Sequence, residues 1–378
     1  MSKKKVFLII GLTALVTFLS TLLALGVVLT KVADVRPDDA ARFIGMYKVI
    51  RSRYVDQTDQ TALFDGAISG MVRSLKDPHS VYLEPVMYRE LLNQTGGTFG
   101  GIGVYMDFRD KKITVISVIE DTPAQKAGIM ANDEIIAVDD VSVKEMEPGA
   151  VVLKIRGEIG TEVKLRLRSA DGSERDVVLT RGLIKSKSVH GKMLDDSVAY
   201  IRISNFTEQT GNEFRETYAK MEGEGMKKIV LDLRQNPGGL VNTCVDVANF
   251  FVPKGVVVTV EDKNGELEEY NSNLEEVKYP LAVLVDGNSA SASEILAGAI
   301  KDTKSGTLVG EKTFGKGSIQ VVIPMFHNDA VKLTVAKYFT PSGVSIDQVG
   351  IKPDVEVKFS PGDREDIQLK KAIEILNK

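Results

Sequence analysis

From Val198 onward the chain alternates between two kinds of segment, and this alternation restricts the fold more than any other feature. AYIRISNF (Ala199–Phe206) reads as a strand, Gly211–Met221 as a helix, and KIVLDLR (Lys228–Arg234) as a buried strand. Val241–Phe251 reads as a helix, LAVLVD (Leu281–Asp286) as a second buried strand, and Ala290–Lys301 as another helix. TLVG, Ser318–Ile323 and Ala330–Phe339 supply further strands. Strands that are apolar on both faces need cover on both faces, and the intervening helices provide it. A layered α/β domain is expected over 184–378.

The upstream chain reads differently. Between Pro37 and Gln94, Phe43, Tyr47, Ile50 and Tyr54 recur at helical steps, as do Leu63, Ala67, Met71 and Leu75. Asp77-Pro78-His79-Ser80 breaks the run before a short helix over 85–92. A helical module is expected over 34–98, with too few helices to bury much core alone. GGTFGGIG (96–103) then marks a boundary loop that needs unusual backbone angles. It lacks the lysine of a phosphate-binding loop. Strand-like runs at Ile102–Phe108, Lys112–Val118, Val163–Arg168 and Arg175–Thr180 enclose a helix at Pro148–Ile155. A compact, partly open barrel is expected over 99–183.

Before all of this, Lys3, Lys4 and Lys5 precede the uncharged run VFLIIGLTALVTFLSTLLALGVVL (Val6–Leu29). At about 1.5 Å per residue such a helix can cross a hydrocarbon core of about 30 Å, with the lysines on the cytoplasmic side. Residues 1–33 are therefore expected to be a single-pass membrane anchor, with the rest of the chain outside the cytoplasm. A cleaved signal peptide, giving a secreted form, is the rival reading. The formal net charge of −4 over 378 residues gives no sign of nucleic-acid binding. One cysteine, Cys244, excludes an internal disulfide, and its apolar neighbours suggest a core residue. The three histidines stand in no metal-ligating pattern, so neither a metal nor another cofactor is expected.

In open α/β layouts reactive groups gather at the carboxyl ends of strands. Two such ends stand out. One is RQNPGG (234–239), after KIVLDLR; the other is NSASASEI (288–295), after LAVLVD. A serine at a strand-to-helix turn can be held exposed, and the helix start offers unpaired N–H groups to an oxyanion. The GxSxG pattern itself is absent. A serine hydroxyl also needs a base, and none of His79, His190 and His327 lies in a suitable setting. A desolvated lysine can serve instead, because burial disfavours its charged form. The candidate is Lys316 in TFGKGSIQ (313–320). In a strand, residues two apart share a face, so Lys316, Ser318 and Gln320 line one side. Taken alone, Lys-x-x-x-Gln equally describes a solvated strand face.

Two resemblances sharpen the reading. Residues 99–183 resemble a PDZ domain of the bacterial arrangement, on Gly101-Ile102-Gly103-Val104 and on Thr122-Pro123-Ala124 through Ala127-Gly128-Ile129. The resemblance implies that a C-terminal tail adds to the strand beginning at Ile102, with Val151, Val152 and Ile155 at the side-chain pocket. From about residue 40 to residue 360 the chain resembles the carboxyl-terminal processing peptidases, which use a Ser–Lys pair. SASASEILAGAIKD (289–302), GEKTFGKGSIQ (310–320), DLRQNPGG (232–239), GIKPDVEV (350–357) and KDPHSVYL (76–83) carry it.

This second resemblance implies Ser291 as nucleophile, Lys316 as general base and Gln320 as its orienting group. It implies backbone N–H groups of Ala292 and Gly238 as the oxyanion hole, with Gly239 a less favoured donor. Ser289 is expected to cap the helix or its turn, and Ser293 to lie in the first helical turn. It further implies protein substrates bound by their C-terminal tails, a homodimer, and gating of the site by the PDZ domain. Arg156, just after the PDZ helix, is the gating candidate. A PDZ tail-binding adaptor with an inactive core is the alternative.

Overall fold

The computed structural model describes residues 3–27, 35–109, 112–119, 121–169, 171–358 and 365–378. The chain divides into two compact units, Met1–Lys76 and Asp77–Lys378. The first holds helices α1 (Lys3–Val27), α2 (Pro37–Arg53) and α3 (Gln60–Arg73). Pro37 opens α2 with Asp38 and Asp39 in its first turn, where a helix N-terminus favours negative charge. The Asp59 carboxylate caps α3 by accepting the Thr61 N–H. The Phe64 ring meets Phe43 and Tyr47 at 6.2 and 5.4 Å between centroids. Even so, α2 buries no residue and α3 buries only Val72. Among the described residues no helix is long and apolar enough to cross a membrane. The anchor expected over Val6–Leu29 thus finds no support there, and residues 28–34 lie outside the described set.

The segment expected as one helical module, 34–98, is split at Lys76. Asp77 belongs to the second unit, where the Asp-Pro-His-Ser turn leads into strand β1 (Val81–Leu83). Helix α4 (Pro85–Thr95) follows. Strand β2 (Thr98–Gly101) pairs with β9 (Gly182–Lys185), and this two-stranded ribbon holds both ends of the domain between them.

That inserted domain contains β3 (Val104–Arg109), β4 (Lys112–Val118), α5 (Pro123–Lys126), β5 (Glu134–Val138), β6 (Val141–Ser142), α6 (Pro148–Ile155), β7 (Glu162–Arg168) and β8 (Glu174–Thr180). Its sheet runs β3-β4-β5-β7-β8, with β6 on β5, so β3 is an edge strand. Ile113, Val115, Ile135, Leu165 and Leu167 form its core beneath α6.

The α/β core contains β10 (Val189–Met193), β11 (Val198–Ile203), α7 (Thr210–Gly223), β12 (Lys228–Asp232), α8 (Val241–Ala248), β13 (Gly255–Asp262), β14 (Leu267–Ser272), β15 (Leu281–Val285), α9 (Ala292–Asp302), β16 (Thr307–Gly310), β17 (Ser318–Pro324), β18 (Ala330–Phe339), β19 (Val355–Glu356) and α10 (Ile367–Leu376). The main sheet has the order β10-β11-β12-β15-β16-β19 and is parallel except for β10 against β11. Helices α7, α8 and α9 cover one face through Phe214, Val247, Leu296 and Ile300. Helix α10, which has no counterpart among the expected helices, covers the other through Ala372 and Leu376, against Val230, Ala282, Leu284 and Val309. A second sheet, β1-β18-β13-β14 with β17 on β18, carries the strand-like runs expected at 318–323 and 330–339. Cys244 is fully buried, as its neighbours suggest.

Candidate active site

Strands β12 and β15 are parallel neighbours, with Asp232 opposite Leu284, so their carboxyl ends open side by side. Buried Asn236 ties the two following loops together. Its Nδ2 donates to the Ile203 carbonyl (2.9 Å), and its carbonyl accepts the Ala290 N–H (3.0 Å) and the Ser293 hydroxyl (3.1 Å). Ser289 Oγ donates to the Leu233 carbonyl and accepts the Asp286 N–H, each at 2.9 Å. Two of the three serines are thus braces. The middle one, Ser291, sits at φ 55°, ψ −118°, directly before α9. An L residue adopts this left-handed backbone only at a cost of order 1–3 kcal/mol, and only where its surroundings over-determine it.

Glu294, one turn into α9 and 0% exposed, supplies that over-determination. Its Oε2 accepts the N–H of Ser291 and the N–H of Lys316, both at 2.9 Å. Its Oε1 accepts the Thr313 hydroxyl at 2.5 Å and the Gly315 N–H at 2.7 Å. The backbones of Ser291 and Lys316 are therefore two hydrogen bonds apart. Burial pushes the Glu294 pKa up, and the four donors pull against it. Three of the four donors are backbone N–H groups, which can only donate and so favour the carboxylate form.

Tyr338, 1% exposed, closes the same junction. Its hydroxyl donates to the Lys316 carbonyl and also meets the Ser291 side chain. Burial raises this phenol well above its usual value, so it remains a donor. Burial lowers the pKa of the Lys316 ammonium and nearby Lys332 adds to the fall, while Asp77 and Glu294 oppose it. The Lys316 Nζ makes no hydrogen bond to Ser291 or Gln320 among the described residues. Gln320 instead donates through Nε2 to Ser318 Oγ (3.0 Å) and Thr334 Oγ1 (3.1 Å).

Gly238 lies against the Ser291 turn at φ +98°. A Cβ built there would stand 2.7 Å from Ser291 Cβ and 2.9 Å from Ala292 N, so only glycine fits. Its N–H, however, donates to Asn236 Oδ1 at 2.9 Å. Ala292 opens α9, where backbone N–H groups lack helical partners. Gly239 is held against Phe206, whose carbonyl would stand 2.0 Å from an added Cβ.

In the inserted domain, Gly103 takes φ +85° and Val104 begins the edge strand β3. Gly101 pairs with Gly182 in the ribbon. Ile102 and Ile155, expected at the peptide-binding pocket, instead point into the domain core, at 1% and 3% exposure, as does Val151 at 0%. Their hydrophobicity is spent on packing; half-buried Val104 packs against the same core, and Val152 on α6 is half-buried. Arg156 ends α6, and its guanidinium lies 4.1 Å from the centroid of the Phe99 ring on β2. The sequence carries no local signal for Asn236, Tyr338 or Thr334, which bond Ile203, Lys316 and Gln320 from remote parts of the chain, and Glu294 joins its neighbour Ser291 to the remote Thr313, Gly315 and Lys316.

Comparison with known proteins bears on this arrangement directly. The profile of peptidase family S41 matches residues 197–357, that of a PDZ domain 100–179, and that of the activating protease CtpB N-terminal domain 30–85. The chain is 37% identical to carboxy-terminal processing protease CtpA of Bacillus subtilis over 360 residues, which is 94% of this chain and 77% of that one. It is 35% identical to CtpB of the same organism, over 87% of this chain and 70% of that one. The solved photosystem II D1 C-terminal processing protease superposes with a TM-score of 0.52 at 30% identity, covering 89% of this chain and 91% of that one. The chain belongs to the carboxy-terminal processing serine peptidases of family S41 and carries a PDZ domain.

Because Glu294 joins the two loops, Glu294→Gln turns one acceptor oxygen into a donor facing donors. Peptidase activity is expected to fall roughly 10²-fold, the cost of displacing reacting groups by about 1 Å. Steady-state hydrolysis of a tail peptide measures it, and full activity in that variant removes the clamp.

Proposed function

We propose that this chain cleaves extracytoplasmic proteins selected by their C-terminal tails, with Ser291 as nucleophile, Lys316 as general base and Gln320 as the group that orients the lysine. The observation that carries this reading is the Glu294 oxygen shared by the backbones of Ser291 and Lys316. The lowered pKa of Lys316 supports a neutral amine nearer to working pH.

The reaction follows from these roles. Lys316 Nζ takes the Ser291 proton as Oγ bonds to the scissile carbonyl carbon. The oxyanion is held by the N–H of Ala292, joined by that of Gly238 once it leaves Asn236, at roughly 3 kcal/mol per donor. The C–N bond breaks, and the departing amine takes the proton from the Lys316 ammonium. Water then attacks the acyl-enzyme ester, giving its proton to Lys316, and Ser291 leaves with that proton restored. Ser291→Ala and Lys316→Ala are expected to abolish cleavage, and a fluorophosphonate probe labels only chains retaining Ser291. Activity requires the uncharged amine, so kcat/KM rises with pH through a value below the ordinary lysine range. Equal cleavage by wild type and Ser291→Ala rejects this mechanism, and no cleavage by the wild type leaves a tail-binding adaptor as the function.

Tails would add to the free edge of β3, with Val104 and Val152 at the groove and the loop from Gly101 to Gly103 at the terminal carboxylate. Arg156, stacked on Phe99 of the ribbon, is suited to pass docking to the core. Arg156→Ala should lower turnover several-fold while tail affinity, read by fluorescence anisotropy, holds. Unchanged turnover removes this role.

Membrane attachment through the N-terminal segment rests on the sequence, where Lys3, Lys4 and Lys5 precede the uncharged run Val6–Leu29. Pairing with a second copy is supported by exposed Phe43, Met46 and Phe64 on α2 and α3. The chain should resist extraction by alkaline carbonate and, in detergent, show twice its own mass by light scattering. Release by carbonate, or a monomer mass, contradicts the respective half.

A further inference from the structure

We propose that Asp77 is a positioning residue for the peptidase reaction: through Ser80 and Thr334 it fixes the direction of the Gln320 amide, so that Gln320 presents its oxygen to the Lys316 amine. The inference rests on Lys316 being the base. Asp77 lies far upstream of residues 197–357, and reaches the site because β1 pairs with β18.

The chain of bonds has one polarity throughout. Ser80 Oγ donates to Asp77 Oδ2 at 2.5 Å and accepts the Thr334 N–H at 3.0 Å. The Asp77 Oδ1 accepts the His79 N–H at 3.0 Å. Thr334 Oγ1 accepts Gln320 Nε2 at 3.1 Å, so its own proton must turn elsewhere. The side on which it finds an acceptor is that of Asp77, whose carboxylate interacts with the Thr334 hydroxyl. Burial opposes ionisation of Asp77, but the bonds from Ser80, Thr334 and His79 hold its pKa at about 2. It is therefore an acceptor and never a donor at any working pH. Both Gln320 N–H groups are then committed, one to Thr334 and one to Ser318. Only Oε1 is left for an amine N–H. An amine held through its N–H directs its lone pair away from Gln320, which is what a base for a serine hydroxyl needs.

Asp77 has a second effect of opposite sense. Its charge raises the Lys316 pKa, as does that of Glu294 on α9, whereas Lys332 on β18 lowers it. The other ionisable groups at this junction are His79 beside Asp77, Asp347 on the Gly317 N–H, and the Tyr338 phenol on the Lys316 carbonyl.

The test uses the full chain in detergent and a tail peptide, with folding checked by thermal unfolding. Asp77→Asn can donate where Asp77 only accepts, so the amide loses its fixed direction. At unchanged KM, kcat should fall roughly tenfold, a fraction of the ~10²–10⁴ that a positioned base supplies. Loss of the negative charge should also move the acid limb of kcat/KM to lower pH, a shift that a purely structural role does not produce. Thr334→Val should lower kcat similarly, and Thr334→Ser should recover most of that loss. If Asp77→Asn fails to fold, this Thr334 pair decides the question. Wild-type kcat in Asp77→Asn with an unmoved limb, or in Thr334→Val, overturns the proposal while leaving Lys316 as base. Wild-type turnover in Lys316→Ala instead overturns the reading on which it stands.

Discussion

A single desolvated carboxylate holds this site together. Glu294 takes two donors from the TFGK loop backbone, one from the Thr313 hydroxyl and one from the backbone of Ser291. Leaving any of those buried donors without an acceptor costs about 1–3 kcal/mol. The carboxylate and its donors therefore form or fail as a unit. The strained backbone of Ser291 depends on that unit, since its local support, the reciprocal capping bonds with Glu294, runs through the same side chain.

The scaffold delivers these loops through ordinary α/β physics. Parallel strands β12 and β15 bury all of Ile229–Asp232 and Leu281–Val285 between helices on both faces, so their ends are fixed in space. Arg234 binds Asp232, itself 0% exposed, and also Asp366 at the start of α10, which pins the last helix to the sheet behind the site. The second sheet does complementary work. Strand β18 places Thr334 beside Gln320 on β17, and Tyr338 against Lys316. Two sheets thus converge on one amine from different sides, which both buries it and sets the balance of charge around it.

The readable parts of the sequence were those governed by local periodicity. The α6 bounds match the expected Pro148–Ile155, and β17 and β18 fall on the expected runs. Strands β13 and β14 and helix α10 were not foreseen. The exposed Leu267–Glu269 of β14 give no buried face to detect. The upstream break at Asp77 was visible, but its allegiance to the core was not, because β1 has three residues and finds its partner at Ala330–Lys332.

The sequence alone determined the alternation of strands and helices, the glycines at φ values few other residues tolerate, and the serine and lysine motifs that mark the family. Each of these is a property of neighbouring residues, and so is written locally. Only the tertiary structure decided that Ser289 and Ser293 are braces, that Ile102 and Ile155 belong to a core, and that Glu294, Tyr338 and Asp77 meet around Lys316. Those outcomes depend on which distant donors, acceptors and apolar surfaces arrive together, and a hydrogen bond spanning 254 residues, as between Ser80 and Thr334, has no signature in either of the segments it joins.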